Sequence, residues 1–238
     1  MLNKEGLEYL VKLGYDKEVL VDTDQGLFST MPLTRVKFAK TETLQVSNLT
    51  SIIDFLKANI DNKSEKLLLQ VVSNKEVRVL TPIGIDEERN EILRAVAILP
   101  DNIKYDLFID TERFNIMLQA GFADKGDKSL VLKFTGLIRD EAVKETGDNG
   151  VSQKVTIKTG IASVGEAEVP NPVTLAPYRT FPEIEQVESK FIFRMKEGPH
   201  AALYEADGGA WKNKAMRRIK DFLVDNLKEL ADQYEIIS

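Results

Sequence analysis

Glu205 and Asp207 stand two residues apart, at the end of a candidate strand and beside Gly208-Gly209. Two carboxylates in that arrangement can bind Mg2+ and support metal-assisted chemistry. The same residues also make ordinary turn chemistry: Asp207 caps the helix that follows, and the glycines let the backbone bend. Turn chemistry explains them without a ligand and is the preferred reading. Arg179 follows Tyr178 and precedes Phe181 in an extended stretch. A guanidinium flanked by aromatics can hold a phosphate or stack on a base. Glu183 and Glu185 lie near enough in sequence to pair with it instead, and that structural role is the expectation. Lys214, Arg217, Arg218 and Lys220 share one side of the last amphipathic stretch, a face able to follow a nucleic-acid backbone. Asp221, Asp225, Glu229 and Asp232 balance them, so a solvated face is expected. The binding candidates are Arg179, Glu205, Asp207, Lys214, Arg217 and Arg218. No catalytic residue, metal ligand or cofactor is assigned.

The residue inventory narrows the remaining chemistry. The chain of 238 residues has no cysteine and one histidine, His200. Disulfides, thiolate catalysis, cysteine-bound zinc and multi-histidine metal sites are excluded. His200 follows Gly198-Pro199 and is expected on a solvated turn, with no second histidine to share proton transfer. Gly121 and Gly126 have the spacing of a phosphate loop, but Asp127 replaces its lysine. Asp22, Asp24 and Gly26 fall short of a calcium loop, with the glycine one position early and Leu33 where a glutamate belongs. The net charge of −6 argues against wholesale coating of a nucleic acid while leaving room for a local basic face. No segment is apolar enough to span a bilayer, and the amphipathic N-terminus is no secretory signal. A cytoplasmic location is expected.

The elements that would position these residues follow from periodicity. Asn3 caps a short helix bearing Leu7, Leu10, Val11 and Leu13, and a hairpin turns at residues 24–26. Residues 35–46 read as a strand. Ser47 then caps a helix with Leu49, Ile52, Ile53, Leu56 and Ile60 on one face. Strands follow at 66–72 and 76–80, with 87–99 as a further hairpin partner. A strand at 107–109, an Asp110-capped helix and a strand at 129–134 repeat the order, so 44–72 and 107–135 form two similar strand–helix–strand units. A polar turn at 144–150 joins two long strands. Pro170, Pro172 and Pro177 stiffen a connector, the candidate boundary between lobes 1–165 and 166–238. Phe191, Phe193 and Met195 alternate along a strand that pairs with 201–206, and a helix starts near Ala210. The expected fold is α+β, mainly antiparallel sheet in long hairpins with a C-terminal helix.

An ordered series of short motifs adds to this reading. Residues 148–153 (DNGVSQ), 177–181 (PYRTF), 183–186 (EIEQ), 191–194 (FIFR) and 205–211 (EADGGAW) resemble the YfdQ-like proteins of tailed phages and prophages. Residues 110–122 (DTERFNIMLQAGF) resemble the same family's helix. The resemblance covers about residues 75–230, and Val187 departs from it by standing where a proline is expected. It implies a phage or prophage protein made in the bacterial cytoplasm, from a family of unknown function whose genes look like part of the DNA-metabolism region. It supplies no reaction, cofactor or catalytic residue. The expectation is a non-enzymatic binding or architectural role in phage DNA replication or recombination. DNA or a phage or host replication protein is the expected partner, and a clamp-like homo-oligomer is one form of the idea. The alternative is a counter-defence protein that binds a host protein or sequesters a signalling nucleotide. A third reading is an enzyme using Glu205, Asp207 and a metal.

Overall fold

The computed structural model describes residues 3–15, 20–24, 26–29, 40–61, 63–84, 87–136, 145–148, 153–158, 164–196, 198 and 200–238. The chain forms two compact units, Met1–Lys40 and Thr41–Ser238. In the first, helix α1 (Lys4–Tyr15) is capped by the Asn3 carboxamide oxygen, which accepts from Gly6 N at 2.9 Å. Strands β1 (Leu20–Thr23) and β2 (Gly26–Ser29) pair as a tight antiparallel hairpin. Leu7, Leu10 and Val11, the apolar stripe of α1, are exposed. Most of the strand expected at 35–46 lies outside the described residues; its end is β3 (Leu44–Val46) of the second unit.

The second unit opens with β3, helix α2 (Leu49–Ala58), and the meander β4 (Leu67–Ser73), β5 (Glu76–Leu80) and β6 (Glu91–Val96). Strand β6 is the hairpin partner of β5 that the alternation predicts. Asn48 caps α2, not Ser47, because its side chain is the one that accepts from Ser51 N, at 2.8 Å. Then come β7 (Ile109–Asp110), α3 (Thr111–Gly121) and α4 (Lys128–Gly136). Asp110 caps α3 as expected, accepting from Arg113 N at 2.9 Å.

Helix α4 corrects the strand expected at 129–134. The run SLVLKF alternates well enough for a strand, but its environment selects a helix. Asp127 O accepts from Val131 N at 2.9 Å, and Lys128, Val131 and Thr135 are the residues buried, at helical spacing. The second unit of the suspected repeat therefore ends in a helix. Gly126 makes the preceding corner at φ +56°, where an added Cβ would lie 2.3 Å from Thr174 O. This close approach, not phosphate binding, is what the glycine serves.

Strands β8 (Glu145–Asp148), β9 (Gln153–Lys158) and β10 (Val164–Glu168) form a three-stranded antiparallel sheet. The polar stretch expected as a plain turn at 144–150 is thus partly strand, since main-chain pairing with β9 needs no apolar side chain. Strand β11 (Val173–Leu175) follows the cis Asn171–Pro172 peptide, and the long hairpin β12 (Ser189–Lys196) and β13 (His200–Glu205) comes next. Helix α5 (Ala210–Leu227), a 3-10 turn and β14 (Tyr234–Ile237) close the chain.

Two sheets carry the architecture. The five-stranded sheet has the order β14-β4-β5-β6-β3, antiparallel in its centre and parallel at both edges. One face packs on α2 and α5 through an aliphatic core that includes Leu69, Val79, Leu93, Leu49, Ile52, Ile219 and Leu223. The four-stranded sheet, β11-β12-β13-β7, packs on α3 and α4 through an aromatic core. There Phe114 stacks on Phe193 at 5.6 Å, Tyr105 on Phe191 at 5.7 Å, and Phe122 meets Phe191 edge-on. Each core takes residues from both sides of position 165. Gln153 completes the second layer. Its amide donates to Met195 O at 2.6 Å and accepts from Met195 N at 2.9 Å, as a neighbouring strand would.

Candidate functional site

Arg179 is the charged residue most deeply set among the candidates, 7% exposed. Its guanidinium lies 3.7 Å from the centroid of the Trp211 ring and 5.7 Å from that of Phe191. Nη1 donates to Glu205 Oε1 at 2.6 Å, and Nη2 donates to the Ser189 hydroxyl. The main chain is held as firmly. Arg179 N donates to Gln186 Oε1 at 3.1 Å, and its carbonyl accepts from Asn74 Nδ2 at 2.7 Å. Gln186 also donates to the carbonyls of Phe181 and Ile184, which folds 179–186 into a closed loop.

This constellation bridges the layers. Phe191 belongs to the aromatic core, whereas Trp211 opens α5, whose later turns cover the aliphatic core. Burial lowers the Arg179 pKa, opposed by the neighbouring Tyr105, Glu205 and Asp207. A guanidinium starts so far above neutrality that it stays charged. Burial pushes the Tyr105 phenol up to about 12; Arg179 pulls it down and Glu205 raises it further.

The expected local partners of Arg179 are corrected. Glu183 and Glu185 are engaged elsewhere, and Glu205 arrives from the end of β13, opposite Phe191. Glu183 Oε1 accepts from Leu49 N at 2.7 Å and Thr50 N at 3.2 Å, capping α2 from 134 residues away. Glu185 contacts Lys125 and Arg218. Glu205 and Asp207 also have separate tasks. Asp207 accepts from Gly209 N at 3.0 Å and from Trp211 N at 3.2 Å, the capping role that turn chemistry predicts. The described residues contain no group of three or more acidic or histidine side chains placed to hold a metal ion.

On α5 the three cations part company. Arg218 Nη1 donates to the Glu185 and Gln186 carbonyls at 2.8 and 3.2 Å, so it anchors the closed loop. Lys214 and Arg217 are exposed and have no ion pair among the described residues. His200 begins β13 opposite Lys196 and is half-buried, so it is a strand residue and not a turn tip. Among the described residues a small cavity of about 10 Å³, about the size of one water, lies between the end of α2 and β14, lined by Phe55, Asn59, Lys63 and Tyr234 among others.

Both sheets also present an outer face. On the five-stranded sheet, Glu76, Arg78, Glu91 and Arg94 interlock across β5 and β6, with contacts of 2.7 Å for Glu76–Arg78 and 2.8 Å for Glu91–Arg94. On the four-stranded sheet, Lys190, Ile192, Arg194 and Lys196 alternate with the buried positions of β12. The cationic half of that alternation is as legible in the sequence as the apolar half.

These features define an α+β protein with two helix-backed sheets joined by a buried arginine. The chain has no significant match to any family model, curated protein or solved structure.

Proposed function

We propose that the protein is a phage- or prophage-encoded accessory protein that works by binding, in DNA replication or recombination within the bacterial cell. The observation that carries the non-enzymatic part is the use made of the polar residues best suited to chemistry. Arg179 and Glu205 join two layers, Asp207 caps α5, and Glu183 caps α2. A group committed to fold-defining hydrogen bonds is costly to redirect toward a substrate. Exposed cations support a polyanionic partner. Lys214 and Arg217 point to solvent, and the first turn of α5 carries Lys212 with no acid beside it. Positive charge there opposes the helix dipole, so helix stability does not account for it.

The test is fluorescence anisotropy of the intact protein with a labelled oligonucleotide, single-stranded or duplex, in rising salt. Dissociation constants around micromolar at low salt, weakening steeply as salt rises, are expected. Nucleic-acid binding absent at 50 mM salt would overturn the reading.

A further inference from the structure

We propose that the first half of α5 binds duplex DNA through its phosphates. This rests on the binding reading above and gives it a place and a form of ligand. Charge is segregated along the helix. Residues 210–220 carry Lys212, Lys214, Arg217, Arg218 and Lys220 and no acid, and Asp221, Asp225, Glu229 and Asp232 all come later. The acids nearly match the bases in number but not in place. At 1.5 Å per residue Asp225 lies about 16 Å along the axis from Lys214, twice the Debye length of about 8 Å at physiological salt. Asp221 is nearer, one turn beyond Arg217, and marks where the cationic stretch ends; the two form no ion pair.

This order runs against the helix. The macrodipole favours acids at the N-terminus and bases at the C-terminus, yet α5 has no acid in its first turn and no base in its last. Helix stability therefore selects the charge at neither end. Three cations are free to meet a partner. Lys214 and Arg217, three residues apart, share the outward side, and Lys212 extends from the first turn. All three are exposed and have no ion pair among the described residues. Lys212 Nζ lies 5.9 Å from the Trp211 centroid, at the limit of a cation–π contact. The remaining charges are engaged. Arg218 donates to the Glu185 and Gln186 carbonyls, and it and Lys125 both contact the Glu185 carboxylate. Glu185 is thus matched twice and does not neutralise the free cations. Lys220 acts on Glu235, whose pKa is lowered by Lys66 and further by Lys220. Asp207 is committed to Gly209 N and Trp211 N.

Charge density and the absence of a stacking platform set the form of the ligand. Lys212 to Arg217 spans about 8 Å of helix axis. Over that length a duplex carries about five phosphate charges and one strand alone about two. A sequence-tolerant single-strand site needs rings for the bases. The ring in this stretch, Trp211, is 6% exposed, with the Arg179 guanidinium over its face. A duplex keeps its bases stacked and asks only for cations.

The experiment is anisotropy of the full chain with a labelled hairpin duplex and with oligo(dT), across 50–200 mM salt. Two to three phosphate contacts predict a slope of log K against log salt of about −2, a loss of roughly tenfold or more over that range, with the duplex bound more tightly. K214Q/R217Q should weaken duplex binding about tenfold at 50 mM salt and flatten the slope to about −1. Its thermal melt should be unchanged, and that of Lys212→Gln should rise slightly as a cation leaves the positive end of the helix. A melt lowered by these substitutions would assign the cations to the fold and overturn the proposal. Tighter binding of oligo(dT) overturns it too. So does full duplex binding by K214Q/R217Q, in which case the reading of a DNA-binding protein stands and only its location falls. Binding of neither oligonucleotide removes both.

Discussion

The two principal sheets are built alike inside and differently outside. Each buries one face under two helices. The outer face of the five-stranded sheet is closed on itself: Arg78 and Arg94 lie between Glu76 and Glu91, every contact is at or under 3.5 Å, and two charges of each sign cancel. On the outer face of the four-stranded sheet Lys190 and Lys196 are exposed with no ion pair among the described residues, and two rings meet in edge contact. Interspersed charges on the first face satisfy one another and need no partner. Burial accounts for the inner faces of both sheets, and mutual ion pairing accounts for the outer face of the five-stranded one.

The joint between these layers is where the largest effect is expected. Arg179→Ala removes a guanidinium from between Trp211 and Phe191 and strips Glu205 and Ser189 of a donor. Equilibrium urea unfolding should show a loss of about 3 kcal/mol, and a loss under about 1 kcal/mol would mean that the layers are held together elsewhere. Gly126→Ala should cost about 2 kcal/mol or more by the same method, since it adds a Cβ against Thr174 O at positive φ.

A smaller effect comes from pH. Burial raises the Tyr105 pKa to about 12, so the native state keeps a proton that the unfolded chain releases near pH 10. The contribution is full below pH 10 and is lost as pH rises through 12. Melting curves across that window should fall more steeply for the wild type than for Tyr105→Phe, and parallel curves would count against the buried phenol. The smallest stability change bears most directly on the outer faces. E76Q/E91Q should cost about 1 kcal/mol or less, yet it leaves Arg78 and Arg94 unbalanced. Salt-sensitive oligonucleotide binding, measured by the shift in anisotropy slope, should increase.

Much of the fold was legible because it is local. The apolar spacing Ala215, Ile219, Leu223, Leu227 defines the buried stripe of α5, and the alternation through Phe191, Phe193 and Met195 defines β12. Asp207 and Asp110 announced their caps by position. What sequence order hides is pairing at a distance. Glu205 meets Arg179 from 26 residues away and Glu183 reaches α2 across 134, while nearer acids looked equally suited. Residues 129–134 misled for another reason: a short run of apolar and β-branched residues fits both periods, and only the packing against α3 and β11 decides between them.

Lysine footprinting tests the central claim most directly, because a single acylation experiment on the intact protein reads all lysines with and without bound duplex DNA. The account predicts protection concentrated at Lys212 and Lys214, with the exposed Lys66 and Lys228 unchanged. Protection confined to Lys190 and Lys196, or spread evenly over the surface, would contradict it.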